Sequence, residues 1–154
     1  MWISCQKIIV LSTYLWRNYR KVYSSGIQVE TYDFNTICRN SIHSNAGPGI
    51  VLTDGGNQLL PAPVLFTVTE TSVPGIACPG CTVEIYSDAE DEGRVYEGSI
   101  IADAASAFTL IQPTGLTGPF VTAAATDPDG NTSEFSAAQR VWRRIYLLII
   151  LKRQ

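Results

Sequence analysis

Short runs of alternating apolar and polar residues fill the chain beyond residue 60, and this alternation most constrains the fold. Between 120 and 126, Val121, Ala123 and Ala125 alternate with threonine and alanine. Successive side chains of a β-strand point to opposite faces of a sheet, so alternation predicts strands with one buried face. Turn clusters rich in Gly, Pro, Asp and Asn separate the runs, and no segment past residue 60 has a helical period. We predict strands at 64–69, 75–78, 82–87, 94–102, 107–112, 120–126 and 133–141.

Seven short strands at this spacing predict an all-β fold, with a β-sandwich over residues 64–141. The same alternation assigns a set of apolar residues to one inward face: Val83, Ile85, Phe108, Leu110, Val121 and Ala123. Glu84 and Tyr86 fall on the opposite face of their strand. We therefore expect these two side chains to be exposed to solvent.

Residues 24–56 follow a different pattern, in which a glycine precedes an apolar run twice. The motifs at 26–29 and 49–52 lie 23 residues apart, and two asparagine-rich corners between them each lead to one isoleucine, Ile37 or Ile42. Short strands and corners at a fixed period indicate a solenoid, in which each coil buries its apolar residues against the next. A single coil cannot bury its own face. We predict that residues 24–56 are the last one or two coils of a longer solenoid, joined to the sandwich by a linker at 57–63.

Charge is distributed unevenly along the chain. Residues 46–139 contain twelve acidic residues and one basic residue, Arg94, for a net charge of −11. The flanking stretches 1–45 and 140–154 have net charges of +3 and +5. An acidic middle repels phosphate backbones, which argues against a nucleic-acid partner. The single histidine, His43, also excludes any site built on a histidine cluster.

The two ends of the chain are apolar and basic. Residues 1–23 match no recognisable element, and the short apolar run Ile8–Leu11 is followed, not preceded, by its basic residues, unlike a signal peptide. Residues 142–154 contain the seven-residue apolar run Ile145–Leu151 between basic residues. Both runs are far shorter than the ~20 residues that span a bilayer, so we predict no membrane span. We expect the C-terminal run to be a docked strand or, alternatively, a sorting or interfacial tail.

Cys78 and Cys81 form a C-x-x-C motif inside a predicted turn between two strands. A zinc site would need two more ligands, and a thioredoxin-type redox pair would lie at the start of a helix. The interpretation we favour is a local disulfide that closes the turn in an oxidising compartment, with reduced structural thiols as the alternative. The sequence does not assign the state of Cys5 and Cys38.

Oxygen-bearing side chains gather near the end of the predicted sandwich, at Asp127, Asp129, Asn131 and Glu134. Several carboxylate and amide oxygens around a tight turn suit a calcium ion. However, Pro128 and Gly130 also suit an ordinary hairpin turn, which is the interpretation we favour. We predict no other cofactor.

Two further groups of residues could suggest catalysis. His43 stands beside Ser41 and Ser44, but no carboxylate is paired with them by pattern. Glu30 and Asp33 could be the acids of a polysaccharide-cleaving β-helix, a suggestion that depends on analogy of fold alone. We therefore expect the chain not to be an enzyme.

Several segments resemble known bacterial surface proteins. Residues 40–45 and 49–52 resemble the final coil of right-handed parallel β-helix repeats in secreted bacterial proteins. Residues 77–88, 93–98 and 121–136 resemble a bacterial immunoglobulin-like module that follows such helices. The tail 144–152 is similar to those of surface proteins from Chloroflexi-like bacteria, although proline usually stands where this chain has Leu148.

The resemblance implies an extracellular or cell-surface protein. We expect a non-enzymatic structural or adhesive module, monomeric and part of a larger protein, whose partners would be surface glycans or other surface proteins. The alternative is an accessory module of a carbohydrate-active β-helix enzyme, such as a polysaccharide lyase or a glycosidase.

Overall fold

The computed structural model describes residues 25–143. β-Strands are the main regular secondary structure of this part of the chain. The one helical element there is a single 3₁₀-type turn, Gly56–Leu59, in which Asn57, Gln58 and Leu59 have positive φ. The all-β prediction is confirmed. The strands are β1 (Ile27–Glu30), β2 (Ile50–Thr53), β3 (Val64–Leu65), β4 (Ser72–Ile76), β5 (Thr82–Asp88), β6 (Val95–Ile101), β7 (Ala107–Ile111), β8 (Phe120–Thr126) and β9 (Gln139–Arg140).

Seven of these strands form two antiparallel sheets around one core, the layout of a β-sandwich. The smaller sheet has the order β3-β4-β7 and the larger has the order β6-β5-β8-β9. The residues that alternation assigned to the core do meet there. Val83, Ile85, Phe108, Val121 and Ala123 are buried in one cluster, and a half-buried Leu110 packs against it.

The first, second and last sandwich strands differ from their predicted bounds. Pro74 lies inside β4, where we expected a turn, and its carbonyl accepts a hydrogen bond from the backbone of Phe66 at 3.0 Å. At the other end, only Gln139 and Arg140 form β9. The hydroxyls of Ser133 and Ser136 accept hydrogen bonds from backbone N–H groups of β8 at 2.9 and 3.0 Å, so side chains here replace part of a ladder.

A third layer, residues 25–60, covers the outer face of the larger sheet; we call it the N-terminal layer. Because of it, β5 is buried on both faces from Val83 to Asp88. Glu84 is only 6% exposed and Tyr86 only 3%. The expectation that these two side chains face solvent was therefore wrong. Alternation identified their face of the strand correctly, but it could not show that another part of the chain packs on that face.

The repeated glycine motifs form one parallel pair of strands and not a solenoid. β1 pairs with β2 in parallel, with Ile27 opposite Ile50 and Glu30 opposite Thr53. The 23-residue spacing of the motifs is thus the register of the pair. Within residues 25–143 this sheet has only two strands, and the others have three and four. The prediction of terminal β-helix coils was therefore wrong, and so was the resemblance to β-helix proteins. Residues 25–60 form a two-stranded parallel sheet with its connecting loops.

The connection from β1 to β2 has a five-residue period of its own. Phe34, Arg39 and Ser44 have positive φ, and each is followed by an asparagine. The left-handed residue at each corner is therefore the one that precedes the asparagine. The buried Ile37 and Ile42 recur at the same spacing. One isoleucine thus lies between each two successive corners and packs toward the sandwich.

A second apolar cluster joins the N-terminal layer to the larger sheet. It contains Val29, Ile37, Ile42 and Ile50, with Phe135 of the sandwich packed against them. An antiparallel bridge between Ile42 and Gly93 links the same two layers through their backbones. The apolar repeat thus packs against the sandwich, a surface that the sequence pattern did not identify.

Candidate functional site

Side-chain oxygens of the sandwich accept hydrogen bonds from backbone N–H groups of the N-terminal layer. We call these side chains the acceptor row: Glu84, Glu92, Asn131, Thr132 and Glu134. Their acceptor atoms bind, in that order, the N–H groups of Arg39, Asn45, Phe34, Ile37 and Leu52, at distances from 2.7 to 3.1 Å. The acceptor row thus gives hydrogen-bond partners to backbone N–H groups of the N-terminal layer, which would otherwise be costly to bury. Two of its members, Asn131 and Glu134, are predicted calcium ligands.

Glu84 and Tyr86 form a buried polar pair in the middle of the row. The Tyr86 hydroxyl donates to Glu84 Oε2 at 2.6 Å, and the backbone N–H of Arg39 donates to the same oxygen at 2.9 Å. Burial first, and then the nearby Glu84 carboxylate, raise the pKa of the Tyr86 hydroxyl well above its usual value. Tyr86 therefore stays a neutral donor.

The ring of Tyr86 continues an aromatic row along the same interface. It stands edge-on to Tyr96 at a centroid distance of 5.7 Å and edge-on to Phe135 at 5.5 Å. The Arg39 guanidinium lies 5.7 Å from the centre of the Tyr96 ring. Edge-to-face pairs and a cation over a ring are both favourable arrangements. This interface is therefore packed as well as hydrogen-bonded.

Asp127 closes a turn with its own backbone. Its Oδ1 accepts hydrogen bonds from the N–H groups of Asp129, Gly130 and Asn131 at 2.8 to 2.9 Å, and its Oδ2 accepts one from Asn131 Nδ2 at 2.8 Å. Both carboxylate oxygens are thus used inside the turn. Asp129 is exposed, whereas Asn131 is fully buried.

The four candidate calcium ligands therefore have other surroundings in the structure. Asp127 closes the turn, Asp129 is exposed beside it, and Asn131 and Glu134 accept hydrogen bonds from the N-terminal layer. Within residues 25–143, no three or more His, Cys, Asp or Glu side chains form a group that could hold a metal ion. Calcium binding stays the alternative to an ordinary hairpin turn, and a titration can test it.

An open cleft of about 540 Å³ lies where the N-terminal layer meets the loops at 90–92 and 134–138. Four of its lining residues are acidic: Glu90, Asp91, Glu92 and Glu134. Both carboxylate oxygens of Glu92 are engaged by Asn45, one by its backbone N–H at 3.1 Å and one by its amide at 2.8 Å. The cleft is thus partly framed by the acceptor row.

The residues that could suggest catalysis have local structural partners. His43 Nδ1 lies 3.0 Å from Ser44 Oγ, while the Ser41 hydroxyl donates to the carbonyl of Arg94 at 2.7 Å. Glu30 accepts a hydrogen bond from Gln28, and Asp33 accepts one from the backbone of Gln58 at 2.8 Å. Ser41 therefore lies against the sandwich, apart from the His43–Ser44 contact.

The C-x-x-C turn is oxidised. Cys78 and Cys81 form a disulfide with their Cα atoms 5.4 Å apart, which confirms the predicted local bridge. Cys38 is disulfide-bonded as well, while Cys5 lies outside the described residues. Gly80, inside the turn, has φ of +74°, a conformation that glycine adopts without steric cost.

Aromatic side chains are exposed at one corner of the N-terminal layer. Tyr32 is 78% exposed and Phe34 is 63% exposed, and Leu59 stands exposed on the adjoining turn. The Asn57 N–H donates to the Tyr32 carbonyl at 2.9 Å, which holds the two loops together. We call Tyr32, Phe34 and Leu59 the aromatic corner. Sequence reasoning missed it because exposed aromatics have no distinctive spacing.

No family model matches the chain, and no curated protein matches it. These comparisons do not support the resemblance to bacterial surface proteins. No helix within residues 25–143 has the length and apolar character needed to cross a bilayer. The predicted roles of residues 1–23 and 144–154 lie outside the described residues.

Proposed function

We propose that this chain is a non-enzymatic structural and adhesive module that works outside the cell and binds its partner through the aromatic corner. The observation that carries the proposal is the exposure of two aromatic rings close together in the chain, since Tyr32 is 78% exposed and Phe34 is 63% exposed. Aromatic side chains are enriched at the surfaces through which proteins bind their partners.

Two buried asparagine side chains hold the backbone of the aromatic corner in place. Phe34 donates its N–H to Asn131 Oδ1 at 2.7 Å, and Asn35 donates its N–H to Asn57 Oδ1 at 2.9 Å. Asn131 and Asn57 are both fully buried. A preorganised aromatic surface loses little conformational entropy on binding, which suits an adhesive contact.

The arrangement of the sheets supports the finer fold in this proposal, an immunoglobulin-like sandwich. Sheets of three and four strands enclose one core, and the connections β4–β5, β6–β7 and β7–β8 each pass from one sheet to the other. Crossings of this kind are typical of Greek-key sandwiches. Such modules commonly act as spacers that present a binding surface.

The disulfides support the proposed location. Cys78–Cys81 is a structural bridge in a surface turn, and Cys38 is oxidised too. Structural disulfides persist in oxidising compartments and are rare in reducing ones. A module outside the cell would meet glycans or other surface proteins, which are the partner classes we propose.

A printed polysaccharide array probed with the fluorescent full chain tests the adhesive role. We expect binding that falls at least tenfold in the Tyr32→Ala/Phe34→Ala double variant. Ile101→Ala is the matched control, because Ile101 is exposed but lies on β6, away from the corner. Unchanged binding by the double variant would show that the corner is not the binding surface. Release of cleaved sugar from the array would overturn the non-enzymatic assignment.

A further inference from the structure

The two outer faces of the sandwich differ in what covers them. The N-terminal layer covers the larger sheet, but apolar side chains on the smaller sheet are exposed: Val64, Phe66, Ile76 and Ile111, which we call the bare face. Val64 and Ile76 are direct cross-strand partners. Several exposed apolar side chains on one face of a sheet mark a surface that another chain segment or protein covers.

The last described residues, Trp142 and Arg143, lie beside the smaller sheet. Trp142 N–H donates to the Val68 carbonyl at 2.9 Å, and Trp142 forms a parallel bridge with Thr69. Trp142 is nonetheless 71% exposed, and an open cleft of about 410 Å³ lies between it, Arg143 and residues 69–71. Trp142 and Arg143 therefore lie at the end of the sheet where Ser72 pairs with Ile111.

The length of the following segment matches the bare face. Ile145–Leu151 is a run of seven apolar residues, which would extend about 23 Å as a strand. Strands β4 and β7 have five residues each, or about 17 Å. A segment that reversed direction at residues 143–144 would therefore cross the whole face from Ile111 to Val64.

Charges at the two ends of the sheet complement those of the segment. Glu70 lines the cleft at the near end, close to Arg143. Asp103 stands at the far end, where its N–H donates to the carbonyl of Ala107 at 2.9 Å. The apolar run has Arg143 and Arg144 before it and Lys152 and Arg153 after it. Basic residues would thus meet an acidic residue at each end.

We propose that residues 144–151 of this same chain dock on the bare face of the smaller sheet. The segment would cover that face as residues 25–60 cover the opposite one. Burying the run against Val64, Phe66, Ile76 and Ile111 removes two apolar surfaces from water at once. It also withdraws a segment of high β-propensity from intermolecular pairing.

Photo-cross-linking on the full-length chain tests this proposal. A photoreactive phenylalanine analogue replaces Ile111, and in a second protein it replaces Ile101, which is the matched control because it is a comparably exposed isoleucine on the other sheet. A mixture of unlabelled and isotope-labelled chains separates cross-links within a chain from those between chains. We expect the probe at 111 to cross-link within one chain to residues 144–151, several-fold more than the probe at 101.

Three results would overturn the proposal. Cross-links from position 111 between labelled and unlabelled chains would show that a second copy covers the face. Equal yields from the two positions would show that the segment has no preference for it. Absence of cross-links from 111 would show that the face is open. As a second measurement, a chain that ends at Arg143 should bind several-fold more of a hydrophobic dye than the full chain, and equal binding would also contradict the proposal.

Discussion

The ring of Phe135 occupies the space that a side chain at residue 93 would need. A Cβ added to Gly93 would lie 2.5 Å from Cζ of Phe135, and one added to Gly49 would lie 2.8 Å from Cε2 of the same ring. Gly93 belongs to the sandwich and Gly49 to the N-terminal layer. Glycine at both positions therefore lets one aromatic ring join the two layers.

Gly93→Ala should destabilise the protein by about 1–3 kcal/mol, because the added methyl overpacks the contact. Urea unfolding followed by tryptophan fluorescence measures the change. The control is the same substitution in a Phe135→Leu background, where the smaller side chain leaves room and the added cost should be much lower. An equal cost in both backgrounds would mean that the ring does not set the requirement for glycine.

Tyr86 should make stability fall at alkaline pH. Its pKa in the folded protein is raised, so the folded state keeps the phenolic proton where the unfolded chain releases it. The contribution is full below the unfolded pKa of about 10 and is lost as pH rises above that value. Free energies of unfolding between pH 8 and 11 should decline less steeply in Tyr86→Phe than in the wild type.

Tyr32→Phe is the control for that series, because Tyr32 is largely exposed to solvent. It should keep the wild-type decline. At neutral pH, Tyr86→Phe should cost about 1–2 kcal/mol, because its hydrogen bond to Glu84 is lost. If the wild type and Tyr86→Phe have parallel pH profiles, the buried hydroxyl does not produce the alkaline decline.

Asn57 should be one of the most sensitive positions in the N-terminal layer. Its amide donates to the carbonyls of Asn35 and Thr132 at 2.8 and 2.9 Å, and its Oδ1 accepts the Asn35 N–H. Its Oδ1 also accepts a hydrogen bond from Asn35 Nδ2 at 3.2 Å. Asn57→Ala removes these bonds in a buried place, so we expect a loss of about 2–4 kcal/mol in thermal or urea unfolding.

Gln58→Ala is the matched control for Asn57→Ala. Gln58 is the next residue, is exposed and also has positive φ, so its substitution places alanine in the same backbone region without removing a buried amide. We expect it to change stability by less than about 0.5 kcal/mol. Comparable losses at the two positions would show that backbone conformation, and not the amide, accounts for the effect.

Asp127 should matter for the fold whether or not calcium is present. Asp127→Ala removes the acceptor of three backbone N–H groups, and we expect a loss of about 1–3 kcal/mol. Asp129→Asn should be nearly neutral, since Asp129 is exposed. Melting temperatures measured with calcium and with magnesium at equal ionic strength should agree. A calcium-selective rise that Asp129→Asn abolishes would instead establish the site.

Alternation predicted the sandwich because it is a local consequence of strand geometry. Val83 and Ile85 on β5, and Val121 and Ala123 on β8, lie in the core as expected. The same pattern failed for Glu84 and Tyr86, because it assigns a side chain to a face without showing what packs there. The 23-residue spacing likewise predicted a parallel register but not the number of strands.

The left-handed corners and the acceptor row could not be predicted from a single sequence. Phe34 and Arg39 have left-handed backbones without being glycine or asparagine, and the bonds from their N–H groups to Asn131 and Glu84 impose these corners. Asn131 and Thr132 also fit an ordinary hairpin turn, which hid their role as acceptors. A polar side chain next to a turn does not reveal a partner about a hundred residues away.

The acceptor row has a consequence for how this architecture can diverge. A backbone ladder pairs with almost any strand, because every residue offers the same N–H and C=O groups. The contacts at Glu84, Glu92 and Asn131 instead depend on side chains encoded at single positions. A few substitutions would therefore weaken the attachment of the N-terminal layer without altering the sandwich topology, and a related sandwich that lacks these oxygens would hold such a layer by apolar packing alone. Selection can thus strengthen or weaken the N-terminal layer separately from the sandwich beneath it.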